Sequence, residues 1–347
     1  MNPLSRRQFF RAAGSVAGAT LASETKAAPA ATPSVTLACA DYLRFTPFAT
    51  GDLRPDNIDL TLLRGPRSEM LRRASNDATI SGGEGSMLGH LLRVDQGDRS
   101  LVAVPVFPLR NFTVRDIYVR KGSTLTTGTL NGRRIGIYNW AASGAVWYRH
   151  LLRYFGQNPS SMAWSVGGTD RPARIPSRAP LPPNVTNAPP DRSLTDLLMA
   201  GELDAFCTPI PPAKFHREDG PINRLVPDFV GAEKRYFEKT RCYPTQHVLL
   251  LRKEVFEKNP AIGKSLVSAF DACEEHFQEG QQHFPYSTPW QIEDVEATRL
   301  LLGPRFHAHG LEKNRTEIDT FCQAGFDDGL TKRRVSVEEY FAEFLKS

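Results

Sequence analysis

Short apolar runs alternate with amphipathic stretches along most of this chain, and turn residues separate them. Residues 35–40 read Val-Thr-Leu-Ala-Cys-Ala, a buried strand. Residues 58–63 alternate apolar and polar and predict a second strand. A helix is expected over 68–74, opened by Ser68 after Pro66. Residues 78–81 predict a third strand, and the glycine-rich turn 82–85 leads into a helix from about 86 to 94. Strands follow over 101–107 and 114–119. Asn131-Gly132 then turns the chain into a short strand ending at Ile137, and residues 143–155 carry Val146, Trp147, Leu151 and Tyr154 at helical spacing. The proline-rich stretch 172–190 is a loop or extended arm. A short helix stops at Gly201, strands cover 203–207 and 247–251, and the chain is mostly helical from Pro260 onward. Strands alternating with helices predict an α/β fold with largely parallel sheets.

Composition adds bounds. The chain has 347 residues, more than one typical core holds, and suits two lobes. Its start carries Ser5-Arg6-Arg7-Gln8-Phe9-Phe10-Arg11, an Ala- and Gly-rich apolar run, and small residues at Ala27, Ala28 and Ala30. That layout predicts a twin-arginine signal over residues 1–30, the twin-arginine export machinery as a partner, and a periplasmic destination. The segment holds four basic residues, Arg6, Arg7, Arg11 and Lys26, against Glu24. The remaining 39 basic and 37 acidic residues nearly balance, and no basic stripe points to nucleic acid. The five cysteines, Cys39, Cys207, Cys242, Cys273 and Cys322, are widely spaced and predict buried small side chains rather than a disulfide framework or zinc site. His307-Ala308-His309 has nothing nearby to complete a metal site and is expected in a surface turn. The expected complement is therefore no metal and no cofactor.

Several segments occur in an order that resembles a known family. They are Val106-Phe107-Pro108-Leu109-Arg110, Ile117-Tyr118-Val119, Leu130-Asn131-Gly132-Arg133-Arg134-Ile135-Gly136, Ala145-Val146-Trp147, Gly167-Gly168, and the run from Leu194-Thr195-Asp196 to Leu203-Asp204-Ala205. Together they resemble the 4,5-dihydroxyphthalate decarboxylase family, which is similar in fold to type II periplasmic solute-binding proteins of the nitrate and taurine kind. The resemblance implies a two-lobed α/β fold with two hinge crossovers. One lobe would hold residues 34–120 plus 245–347 and the other 121–244, with crossovers near Val119-Arg120 and near 243–247. Ligand would bind between the lobes, under hinge closure.

In open α/β sheets ligands lie beyond the carboxyl ends of strands. That rule singles out Asp41-Tyr42, residues 82–86, 107–110 and 138–144. Arg110 offers a fork for a ligand carboxylate, or pairs with a nearby acid. Ser143 and Gly144 open a helix whose free amides favour an anion, with Ser143 also a candidate cap. Tyr42 and Trp140 are candidate aromatic walls, while Trp147 reads as core. Glu84 and His247 are polar groups at expected cleft or hinge positions.

Family members typically carry Val-Pro-Glu-Tyr-Gln where this chain has Ile137-Tyr138-Asn139-Trp140-Ala141, and an Arg-His-Ser stretch where it has Thr113-Val114-Arg115. An amide thus replaces a carboxylate, and a His is missing. Aromatic decarboxylation needs an acid to protonate the ring carbon, and Glu84 and His247 remain for that role. Two readings follow. In the first, an exported solute-binding protein captures a small carboxylate, aromatic ones included, for a membrane transporter permease. In the second, the chain is a decarboxylase of a 4,5-dihydroxyphthalate-like acid.

Overall fold

Val35, Leu37 and Cys39 alternate toward one apolar cluster, and the strand that carries them organises the first of two sheets. The computed structural model describes residues 32–173, 181–216, 218–283 and 287–347. The expected signal segment lies outside the described residues. In chain order the strands are β1 (Ser34–Ala40), β2 (Asp59–Gly65), β3 (Gly82–Ser86), β4 (Leu101–Val104), β5 (Ile117–Arg120), β6 (Arg134–Ile137), β7 (Ala163–Val166), β8 (Val185–Asn187), β9 (Ala205–Cys207), β10 (Ile222–Arg224) and β11 (His247–Arg252). One sheet has the order β2-β1-β3-β11-β4 and the other β10-β5-β9-β6-β7-β8.

Both sheets are mixed. β1 runs parallel to β2 and β3, while β11 inserts antiparallel between β3 and β4. In the second sheet β6 is parallel to β7 and β9, and β5 pairs antiparallel with β9 and β10. The expected passage between lobes at Val119-Arg120 therefore falls inside a strand of the second sheet. The chain leaves the first sheet after β4 and returns to it just before β11. These two passages run side by side. Arg110 forms an antiparallel bridge with Thr245, the Asn111 amide donates to the Pro244 carbonyl at 2.9 Å, and the Gln246 amide donates to the Leu109 carbonyl at 2.9 Å.

The glycine-rich stretch is a strand, not the turn its composition suggests, and residues 78–81 form no strand. β3 lies between β1 and β11 at unusually close range. A Cβ on Gly82 would sit 2.1 Å from the Leu250 carbonyl oxygen, and one on Gly83 would sit 2.1 Å from that of Ala38. Both glycines also have positive φ, at 152° and 159°. Only glycine allows this approach of backbones.

Helix Met87–Asp95 follows β3 and is capped by Ser86. Helix Ser143–Tyr154 follows β6. The last part of the chain divides its packing. Helix Ala261–His283 covers the first sheet through Leu266, Phe270 and Cys273. Helix Arg315–Asp327 lies against Ser143–Tyr154, where Trp147 meets Phe321 at 5.6 Å. The same junction buries Arg149 against Asp328 at 2.5 Å. All five cysteines are buried and free.

Gly83→Ala tests the close strand approach. The added methyl has no room, so the variant should lose about 3 kcal/mol or more of stability, the upper range for overpacking. An unchanged urea midpoint would contradict this strand arrangement.

Candidate functional site

Glu84 lies at the middle of β3 with its carboxylate fully buried. Two strands supply its donors. The Ala40 amide donates to Oε2 at 2.8 Å, and the Tyr42 hydroxyl donates to Oε1 at 2.6 Å. His247, the first residue of β11, meets Oε1 through Nδ1. Register explains this pairing. Leu249 is directly opposite Glu84, so His247, two residues earlier, is a diagonal neighbour on the same face.

Burial opposes charge on Glu84. The hydrogen bond and charge of His247, then the bonds from Tyr42 and Ala40, outweigh it and hold the carboxyl below its usual value. Burial and the adjacent carboxylate push the Tyr42 phenol well up, so it stays a donor. The imidazole meets the fixed carboxylate through one nitrogen only. His247 Nε2 has no hydrogen-bond partner among the described residues, and it is not among the buried unpaired atoms. It is therefore reachable from outside.

Ser86 is directly opposite His247 and leads to the second sheet. Its hydroxyl lies 2.8 Å from that of Ser143. Ser143 is the first residue of its helix, and its hydroxyl accepts from the Leu88 amide at 3.1 Å. It thus caps the neighbouring helix rather than its own. The backbone amides of Ser143 and Gly144 have no partner among the described residues. A Cβ on Gly144 would lie 2.8 Å from the Tyr138 hydroxyl and 3.3 Å from Gln246 Oε1. The bare glycine, Tyr138 and Gln246 thus form one close group just beyond β6. Burial and Asp116 push the Tyr138 phenol up to about 12. Asp116 is itself raised to about 7 by burial.

Arg67 completes the constellation and was not singled out from the sequence. β2 runs parallel beside β1, and the Asp41 amide donates to the Gly65 carbonyl at 3.1 Å, so Arg67 emerges next to Tyr42. Its guanidinium is exposed and has no hydrogen bond or ion pair among the described residues. Its charge is felt by Tyr42 on the first sheet and by Tyr138 on the second. An Arg two residues past a strand end, after Gly-Pro, was the available signal.

Two expected site residues are engaged elsewhere. Arg110 donates to both oxygens of Glu317, at 3.2 and 3.0 Å, and to Asn314 Oδ1 at 2.5 Å. Glu317 Oε1 also accepts from the Thr245 amide at 2.7 Å. The Arg110 fork therefore clamps the paired passages through both terminal nitrogens, and only its buried Nε is left without a partner. Trp140 is buried between the Arg149 guanidinium, 4.1 Å from its ring centre, and Trp164 at 5.6 Å. It is core rather than a wall. Trp147 is core too, donating to the Thr245 carbonyl at 2.6 Å. The expected surface turn at His307-Ala308-His309 is also corrected. His309 is buried and its Nδ1 accepts from the Phe107 amide at 3.1 Å. Asn139 is exposed and accepts from the Ala141 amide at 3.0 Å, and Val114 is buried in core. Neither is hydrogen-bonded to the Glu84 group.

The chain is a homologue of 4,5-dihydroxyphthalate decarboxylases. It is 28% identical over 315 residues to the one from Comamonas testosteroni, covering 88% of this chain and 96% of that protein. It is 29% identical over 209 residues to one from Pseudomonas putida, covering 59% and 81%. No protein-family model matches the chain. Among solved structures it is similar to the periplasmic aliphatic sulphonate binding protein SsuA from Escherichia coli, with a TM-score of 0.52 and 14% identity over 88% of this chain and 91% of that one. It is also similar to a mutant of DSZB in complex with biphenyl-2-sulfinic acid, with a TM-score of 0.50 and 12% identity over 91% and 98%. At such identities the likeness carries the fold alone. That fold is the α/β type II periplasmic binding protein fold with two mixed sheets. The resemblance read from the residues is thus borne out.

Two variants test the buried carboxylate. A carboxyl held below its unfolded value contributes stability above that value and loses it as pH falls through the folded one. The stability gap between wild type and Glu84→Gln should therefore be present at neutral pH and shrink below about pH 4.3. A gap independent of pH in denaturation series would contradict the charge assignment. Tyr42→Phe removes a donor to that charge and should cost about 1.5–3 kcal/mol. A loss under about 0.5 kcal/mol would show the bond to be weak.

Proposed function

We propose that this protein removes a carboxylate, as CO2, from an aromatic acid of the 4,5-dihydroxyphthalate type. The observation that carries this reading is the Glu84–His247 pair, whose imidazole Nε2 is unpartnered among the described residues and accessible. Homology to a decarboxylase over 88% of the chain supports it. The substituted Asn139 and Val114 count little against it, because neither is bonded to that pair.

The chemistry follows from the substrate class. Each carboxylate of such a ring has a hydroxyl para to it, which pushes electron density onto the carbon bearing the carboxylate. His247, as imidazolium, gives its Nε2 proton to that carbon, and Glu84 offsets the imidazolium charge through Nδ1. The carbon–carboxylate bond then breaks, its electron pair restores the aromatic ring, and CO2 leaves. His247 takes its next proton from solvent through the same accessible nitrogen. Arg67 and the free amides of Ser143 and Gly144 hold the carboxylates. Tyr42 and Tyr138 flank the ring. In this reading the two sheets and their helices act as lobes that close over the acid by flexing at the paired passages. The Arg6-Arg7 segment would carry the chain to the periplasm.

A second reading keeps the same site but ends at capture, with a membrane permease as the receiving partner. It is favoured by the amide of Asn139, where the resemblance expects a carboxylate. The two readings separate in one assay. Incubation with 4,5-dihydroxyphthalate should release CO2, and His247→Gln should slow release by about 10²–10⁴-fold with binding retained. Arg67→Ala should weaken binding about tenfold or more. Quantitative recovery of bound, intact acid from the wild type would overturn decarboxylation and leave capture.

A further inference from the structure

A cavity of about 530 Å³ opens beside the paired passages and takes no part in the site above. Four cationic side chains, Arg110, Arg241, Arg305 and Lys313, line it with a single carboxylate, Glu317. Lys313 lies 3.8 Å from Asp271, and Arg305 is neutralised by Asp271 and Glu275. Arg241 is not. Its guanidinium lies 4.6 Å from the Phe237 ring centre and has no hydrogen bond or ion pair among the described residues. Arg241 also occupies a left-handed position, φ 57°, at the end of helix Phe229–Thr240. Glycine or Asn is the usual occupant there, so an arginine at this position runs against backbone preference. Arg110 is more than nine-tenths buried and its Nε has no partner. The remaining walls are largely apolar, with Phe237, Tyr243 and Phe306 among them.

We propose that this cavity is a second binding site, for a small organic anion with an apolar body, and that its occupancy is felt at the paired passages. The volume suits such a molecule. The unpaired Arg241 and the nearby Lys313 supply charge for its anionic group, and the aromatic walls take its body. Linkage follows from Arg110 and Glu317, which line the cavity and also hold Thr245, two residues before His247. An anion beside Arg110 competes with Glu317 for that guanidinium.

The test titrates the full-length protein with anilinonaphthalene sulfonate, an aromatic anion whose fluorescence rises in apolar surroundings. Saturable binding is expected, weakened about tenfold by Arg241→Ala and likewise by Lys313→Ala. Arg241→Lys should recover part of it. His247→Gln and Arg67→Ala should leave it unchanged, which separates this site from the proposed catalytic one. Hydrogen exchange at the Asn111 and Gln246 amides should change on saturation. No saturable binding, or binding indifferent to both cavity variants, would overturn the site. Saturation with unaltered exchange at those two amides would overturn the linkage.

Discussion

Burying an ionised carboxylate costs several kcal/mol unless donors surround it. Glu84 meets that demand with one donor from β1, one from the residue two beyond it, and one from the start of β11. The requirement therefore fixes three strands in register and, with them, the position of the imidazole. The same strand must be bare just before Glu84, because Gly82 and Gly83 press against neighbouring backbones. Close packing and the buried charge are two sides of one arrangement. The glycines bring β1 and β11 near enough for their donors to reach one side chain.

The rest of the molecule aims that charge. His247 stands just past the ladder formed by 109–111 and 244–246, and Arg110, Glu317 and Asn314 hold that ladder from one side. Trp147 holds it from the other through the Thr245 carbonyl. Ser86 and Ser143 then link the strand carrying Glu84 to the helix of the second sheet. His247 is thus set on rigid elements, while the amides of Ser143 and Gly144 stay unpaired among the described residues on the adjoining helix end. Buried Arg149 and Asp328 tie that helix to the chain's last long helix, so its orientation is fixed from outside the site.

Much of this was legible in the residues. β1, the helix after β6 and the strand at His247 follow from local periodicity, Glu84 and Tyr42 were reachable because each lies in a segment the sheet rule selects, and His247 because it stands at the hinge the resemblance implies. The failures have physical causes. Gly82–Ser86 read as a turn because glycine is poor in isolated strands, and its benefit, close approach to two neighbours, exists only after the sheet forms. Arg110 looked like a ligand fork because its acid partner is distant in sequence. Trp140 looked like a wall because Arg149 and Trp164, which cover it, are set by tertiary packing. Arg67 was missed because its place beside Tyr42 depends on the parallel pairing of β1 and β2, which no local pattern records.

The central claim is that one imidazole, backed by a buried carboxylate, faces the bound acid. Nitrogen-15 NMR of the histidine side chains tests it most directly, with phthalate added as a dicarboxylate that lacks the activating hydroxyls. The account predicts that the His247 Nε2 resonance shifts and saturates with phthalate, while Nδ1 keeps the signature of its bond to Glu84. Saturable phthalate binding that leaves both His247 nitrogens unmoved would contradict it.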